Sequence, residues 1–446
     1  MKVVSQFLFR KIDNAQLTVF RVFYGILVCF EAFGAIGTGW VRRTFIAPEF
    51  TFTFIGFEWL QPLPGDGMYY YFVLMGIFGI LITLGYKYRF SAFAFAIMWS
   101  AVYLMQKTSY NNHYYLLMLL AFIMALLPAH KSLSLDAHFN PKIKKDWMHN
   151  WVRWLIIGQL FIVYTYASVA KLYADWLDLS IIEILMKGKK EYWLIGELLQ
   201  EKWLHKIIAV FGIAFDLLVV PALLWKPTRK IAFGFSIFFH LFNSYVFRIG
   251  IFPYLSLAFC VFFFAPQTIR KVFLKKKSVE VPTKTGFPKG YPWIITAMAL
   301  YLIIQLLLPL RHHTFKDDVL WTEEGHRLSW RMMLRSRSGY SRFKVVDKDT
   351  RDTISIDLDD YLTKKQRRKI GCYPDYIWQF AQHLKKEYHE KGQDIEVYVT
   401  GKTKVNAGKY QPLVDPKVNL ADVPWKHFSH NEWILPSEGT KSEPKK

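Results

Sequence analysis

The sequence predicts a polytopic α-helical membrane domain of eight or nine spans followed by a small exported α+β domain. Three observations predict it. Hydrophobic residues make up 52% of the 446-residue chain and gather in long uninterrupted runs, close to the ~17–25 residues a bilayer crossing demands. Basic residues cluster on alternate connections between these runs, the asymmetry that sets orientation in a membrane. Beyond Leu310 the pattern switches to period-two alternation interrupted by one helical stretch, as in a water-exposed domain.

The apolar runs cover residues 17–36, 68–84, 90–104, 114–127, 154–170, 207–224, 231–246, 251–264 and 293–310. Only residues 247–250 separate the seventh from the eighth, which leaves the count at eight or nine. The N-terminal stretch MKVVSQFLFRKIDNAQ lacks the short apolar core and small-residue cleavage site of a signal peptide, so the first run is expected to stay in the protein. A cytoplasmic N-terminus collects Arg10, Lys11, Lys87, Arg89, Lys131, Lys142, Lys144, Lys145, Lys226, Arg229, Lys230 and the Arg270 to Lys277 cluster on the inner side, and exports the C-terminal domain. Arg42, Arg43 and Lys107 run against this pattern. So does the loop 171–206, with Lys187, Lys189, Lys190, Lys202 and Lys206. Two readings of that loop stand open: an interfacial excursion touching anionic lipid heads, or a surface that holds an acidic substrate.

A net charge of +22 in a soluble protein would suggest nucleic acid; here the cations sit between spans and face lipid, so no nucleic-acid partner is expected. Cys29, Cys260 and Cys372 are too dispersed for a disulfide framework or a metal motif. No internal repeat is visible, against a transporter built from inverted repeats. Domain limits are expected at 1–310 for the bundle and 311–436 for the α+β domain, with a disordered polar tail at 437–446. Within the second domain, strands are expected at 342–347, 353–358 and 395–400, and a helix at 374–388.

Four polar sets fall at the outer ends of the spans: Asn111, Asn112 and His113; Lys171; His240, Asn243, Arg248, Gly250 and Phe252; and Arg311, His312 and His313. Polar groups at this depth usually face the bundle interior and carry function, so the four sets are placed to line a single cavity, and Asn112, His113 and Lys171 are expected to face the same one. Lys171 has two readings. Solvated, or paired with Asp175 four residues on, it is an anchoring cation; desolvated in an apolar cavity, it is a neutral amine able to act as a base. His113 is balanced between an interfacial histidine and a functional one, and His240 is open to a plain interhelical hydrogen bond. Arg21, Glu31 and Asp216 are expected to find structural partners in other spans. A zinc site from His240, His312 and His313 lacks the HxxH spacing that would support it, and no metal is expected.

The stretches SYNNHYYLLMLLAF, QLFIVYTYASVAKLYADW, FHLFNSYVFRIGIFPY, QLLLPLRHH, WTEEGHRLSWRMMLRSRSG and DPKVNLADVPW occur in that order. Together they resemble the vitamin K-dependent gamma-glutamyl carboxylase family and its bacterial relatives with a horizontally transferred transmembrane (HTTM) domain. The resemblance implies a membrane enzyme that couples oxidation of vitamin K hydroquinone, or a related reduced naphthoquinone, by O2 to γ-carboxylation of glutamate with CO2. It implies that Lys171 is the base, that Asn112 and His113 stabilise oxygenated intermediates, and that Tyr164, His240, Phe252 and Met333 surround the quinone. A glutamate-containing peptide or protein and the lipid bilayer are the implied partners. Two departures bear on this. Ala170 stands where the family usually has a second lysine, and His326 stands where it has a tyrosine. The exported region is also shorter than in the animal enzymes, which keeps open a quinone epoxidase, or a quinone- or lipid-binding scaffold, without protein carboxylation.

Overall fold

A computed structural model describes residues 2–275, 279–282 and 287–437. The expected tail, apart from Ser437, lies outside the described residues, as do Lys276 and Lys277 of the basic cluster.

Each of the nine apolar runs lies on helix. Seven helices are long and apolar enough to cross a bilayer: Ala15–Gly37, Gly67–Leu84, Tyr88–Met105, Asn150–Val169, Lys202–Leu224, Arg229–Phe247 and Tyr291–Thr314. The other two, Asn112–Leu126 and Phe252–Phe262, are shorter. At 1.5 Å per residue a 15-residue helix reaches ~22 Å, against a hydrocarbon core of ~30 Å. Composition therefore marks nine apolar segments, and length alone qualifies seven.

Local chemistry sets where the short helices begin. The Asn111 side chain accepts a hydrogen bond from the Tyr114 backbone N–H at 2.7 Å and caps the first. Pro253 occupies the first turn of the second, where its missing N–H costs nothing. Elsewhere glycine permits close helix contact. A Cβ on Gly79 would come within 2.8 Å of the Cys29 backbone, so Ala15–Gly37 and Gly67–Leu84 meet through small residues. Arg21 has a structural role as expected, but its partners lie in the connection after a span rather than in a span. Its guanidinium donates to the carbonyls of Ala129 (2.9 Å) and Ser132 (3.2 Å), bracing the chain after Asn112–Leu126.

A two-stranded sheet of β1 (Lys11–Asp13) and β2 (Trp147–His149) closes one end of the bundle, and Asp13 pairs there with Arg270 at 2.5 Å. In the C-terminal region, β3 (Arg337–Asp347), β4 (Thr353–Ser355) and β5 (Ile395–Val405) form an antiparallel sheet in the order β4-β3-β5, with Phe343 opposite Val399 and Val345 opposite Val397. Helix Pro374–Glu390 lays Ile377, Phe380, Ala381 and Leu384 on these residues at helical spacing. The same core takes in Phe52, from the connection after the first span.

The two parts are further joined by ions. Lys107 lies 2.5 Å from the Asp375 carboxylate, both almost fully buried, and Arg327 reaches the same carboxylate at 2.8 Å. Burial alone would push the Asp375 carboxyl up; Arg327 and Lys107 together hold it at about 2. Burial pulls the Lys107 ammonium down to about 8 in spite of Asp375. The Tyr376 hydroxyl adds a hydrogen bond to the Lys107 carbonyl at 2.8 Å.

Candidate active site between two cavities

An apolar cavity of about 160 Å3 is enclosed by the helices Asn150–Val169, Lys202–Leu224 and Arg229–Phe247 and by the short helix Ser180–Lys187. Its walls are aliphatic and aromatic, with Ile182, Phe211, Phe238 and Phe239 among them. The polar groups that reach it are His113, Tyr164, Lys171, Asp216, His240 and Asn243; Phe252 and Met333 complete the lining.

Lys171 follows the end of helix Asn150–Val169 and turns back along it, so that Nζ donates to the Ala167 carbonyl at 3.0 Å and to the Asp216 carboxylate. Both side chains are enclosed, at 8% and 6% exposure. The Trp176 ring lies 5.4 Å from the ammonium. Gly212 leaves the space, since a Cβ there would sit 3.3 Å from the Trp176 ring and 4.0 Å from Lys171 Cε. The anchoring alternative named Asp175 as partner, and the structure corrects it. Asp175 instead accepts a hydrogen bond from the Asn406 side chain at 2.6 Å. The helix ends before Lys171, so the four-residue spacing no longer puts the two side chains on one face.

Across the cavity the Tyr164 hydroxyl lies 3.0 Å from His240 Nε2, while His240 Nδ1 is buried with no partner among the described residues. His113 stacks on Phe252 with ring centroids 3.9 Å apart. These contacts bring together side chains from helices distant in sequence.

A second, polar cavity of about 750 Å3 adjoins the first. It is lined by Arg43, Lys107, Arg248, Arg327, Arg331, Arg335 and Lys369, with Asn111, Asn112, Tyr110, Tyr373, Tyr376 and a single carboxylate side chain, Glu31. Arg327, Arg331 and Arg335 come from the turns after Gly325. Leu328, Trp330 and Met333 there hold φ of 61°, 58° and 58°, a left-handed region costly for bulky side chains. The consequence is an alternation: Trp330 is buried and stacks on Tyr115 at 4.8 Å, while the three arginines reach the cavity. Asn112 steadies this segment, donating to the Arg331 carbonyl at 2.7 Å and accepting from the Tyr110 hydroxyl at 2.8 Å. Its polar atoms are thus committed to the polar cavity and its arginine loop; it does not line the apolar one. His326 lines the polar cavity too, and burial followed by the surrounding arginines drives its ring well below the ordinary histidine range, so it is neutral.

His113, Ile249, Met332 and Met333 line both cavities and form the boundary between them. The expectation that four polar sets share one cavity needs correction. Three of them converge here, but His312 and His313 line a separate groove with Tyr166, Tyr173 and Asp318. His312 Nε2 is held by Arg331 at 2.7 Å and Nδ1 lies 2.7 Å from the Pro309 carbonyl, while Arg311 donates to the Arg327 carbonyl at 2.6 Å. His240 therefore does not converge with them. Among the described residues no group of His, Cys, Asp and Glu is arranged to hold a metal. The cationic lining of Lys107, Arg327, Arg331, Arg335 and Lys369 was missed from sequence; its one signal was the four-residue recurrence of Arg327, Arg331 and Arg335.

The sequence model of the HTTM domain matches residues 9–267. That of the vitamin K-dependent gamma-carboxylase lumenal domain matches residues 291–440. No solved structure matches the chain. With both models covering the bundle and the α+β region in order, this integral membrane protein belongs to the vitamin K-dependent gamma-carboxylase family.

Proposed function

We propose that the protein uses a reduced naphthoquinone, O2 and CO2 to carboxylate glutamate in a peptide or protein, acting as a lyase of the gamma-carboxylase type. One observation carries this reading: an apolar cavity containing a buried lysine adjoins, across His113 and two methionines, a cavity lined by cations. The first suits a flat apolar ring with polar oxygens, because its walls are hydrocarbon and its polar atoms are few. Lys171, the Tyr164–His240 pair and the orphaned His240 Nδ1 are available to those oxygens. The second suits carboxylates, since guanidinium groups bind them in bidentate fashion.

When bound, a reduced naphthoquinone supplies, on reaction with O2, the strong base that removes the γ-proton of glutamate so that CO2 can add. The protein's own contribution is positional and electrostatic. Lys171, with Asp216, takes the acidic O–H proton. His113, at the boundary, donates to negative oxygen there. Arg43, Arg248 and Arg331 orient the glutamate carboxylate, Arg327 and Arg335 being already paired with Asp375 and Glu323. Phe252, Met332 and Met333 keep water from the reacting atoms. Because the basic loops alternate with the spans, the α+β domain is taken as exported, where it presents peptide to the cationic cavity while the quinone arrives from lipid.

Oxygen uptake by the purified protein with reduced vitamin K is the test. Uptake that requires the reduced quinone supports an oxidising enzyme. Saturable quinone binding without uptake would reject it in favour of a binding scaffold.

A further inference from the structure

The Lys171 ammonium and the Asp216 carboxylate are sealed together in a cavity whose other ionisable neighbours are His113 and the Tyr164-bound His240. A carboxylate beside an amine favours the charged ammonium, which already holds its full complement of protons. A neutral Lys171 beside an ionised Asp216 would leave an uncompensated charge in hydrocarbon. Lys171 alone is therefore poorly placed to take a proton. The pair is well placed, because the carboxylate has one to gain.

We propose that Asp216 is the final acceptor of the proton that Lys171 takes from the bound quinol, a deepening that rests on the function proposed above. The step balances. The ligand O–H breaks and its proton passes to Lys171 Nζ, while Lys171 hands one of its own protons to an Asp216 oxygen. The ligand oxygen gains a negative charge and the carboxylate loses one. Lys171 ends as an ammonium facing the new oxyanion, and the cavity is neutral before and after. No electron is transferred. Asp216 acts through Lys171 and is a positioning and proton-storing residue; it need not touch the ligand. Its place in the middle of helix Lys202–Leu224, directly across from the Lys171 turn, requires only the contact already present.

The experiment uses the full chain in nanodiscs with reduced phylloquinone under argon, so that no turnover intervenes. The absorption spectrum of the bound quinol reports whether its O–H is ionised. The wild type is expected to bind it ionised, Asp216→Asn to bind it neutral, and Asp216→Glu to restore ionisation. The amide still accepts a hydrogen bond from Lys171, so a purely anchoring role predicts no difference between wild type and Asp216→Asn; that result would overturn the proposal. Infrared difference spectra of the wild type give a second reading independent of whether the variant folds. Quinol binding should produce a protonated carboxyl band that moves on 13C-aspartate labelling, and its absence would also overturn the proposal. Quinol bound in neutral form by the wild type rejects Asp216 as acceptor while leaving the wider function standing. A wild type that binds no reduced phylloquinone rejects both. In air, Asp216→Asn should lose about 10²-fold or more in quinol oxidation, the scale of a positioned proton acceptor.

Discussion

Replacing Lys171 by arginine separates proton transfer from anchoring. Alanine is the poorer probe. It leaves Asp216 as an unpaired carboxylate in an apolar cavity, a loss of about 3–5 kcal/mol for a broken buried pair, so a dead variant could simply be unfolded. Arginine keeps the charge and can still reach the Asp216 carboxylate. Its extra bulk enters the apolar cavity that Lys171 lines, and overpacking of this kind typically costs ~1–3 kcal/mol. The arginine variant should therefore remain folded. It should not remain active, because a guanidinium stays protonated and cannot exchange protons with quinol and carboxylate. Loss of a positioned proton acceptor is worth ~10²–10⁴ in rate, or ~2.7–5.5 kcal/mol of barrier. The assay is oxygen uptake with reduced vitamin K, run beside a thermal melt. A folded arginine variant with near wild-type turnover would refute the reasoning and return Lys171 to the status of an anchor. Small amines supplied to the alanine variant should recover part of the rate by pairing with Asp216 in the vacated space.

Further predictions follow from other residues. His113→Ala removes the ring that stacks on Phe252 and should lower quinol oxidation by ~2.7–4 kcal/mol, the usual loss of a preorganised donor, without unfolding the protein; unchanged turnover assigns His113 to structure. Asp375, held at about 2 against an ordinary 3.8, contributes stability that is fully present above pH ~4 and lost as pH falls through about 2, on the order of 2 kcal/mol in all. Asp375→Asn should remove that part of the acid-unfolding slope, and parallel slopes would count against the latch. Gly79→Ala forces a methyl into the Cys29 backbone and should destabilise the bundle by ~1–3 kcal/mol, read as a lowered melting temperature in detergent. Cys372 is buried and burial pushes its thiol up to about 11, so the side of the α+β domain is best read with Asp349→Cys on an exposed turn. An impermeant thiol reagent should label it in intact cells; labelling only after the inner face is opened would reverse the orientation.

Much of the fold was legible because its signals are periodic. Bilayer-length runs marked the helices, and alternation marked the strands later found at Arg337–Asp347 and Ile395–Val405. The expected strand at 353–358 shrinks to Thr353–Ser355; Ile356 still donates to the Phe343 carbonyl at 3.0 Å, and the chain then turns into Leu358–Asp360. Strands of three residues such as Lys11–Asp13 carry too little pattern to read. The site was legible where it rests on single residues at span ends, His113, Lys171, His240 and Phe252. What stayed hidden was pairing across helices. Asp216 is 45 residues from Lys171, and no local spacing announces it, whereas Asp175 at four residues invites a helical pairing that the end of the helix forbids. The cationic cavity was obscured for a related reason. Its arginines recur every four residues as on a helix but sit among left-handed turns at Leu328, Trp330 and Met333, and their convergence with Lys107 and Lys369 exists only after the α+β region docks on the bundle.

The central claim is that the apolar and cationic cavities act as one site across His113. Incorporation of labelled CO2 into a short glutamate peptide, measured with reduced vitamin K and O2 and compared with quinone epoxide formed in the same reaction, tests it most directly. The account predicts peptide carboxylation that requires both quinol and O2, and that falls when Arg43 or Arg248 is replaced while epoxide formation persists. Epoxide formation at full rate with no label entering any glutamate peptide would contradict it.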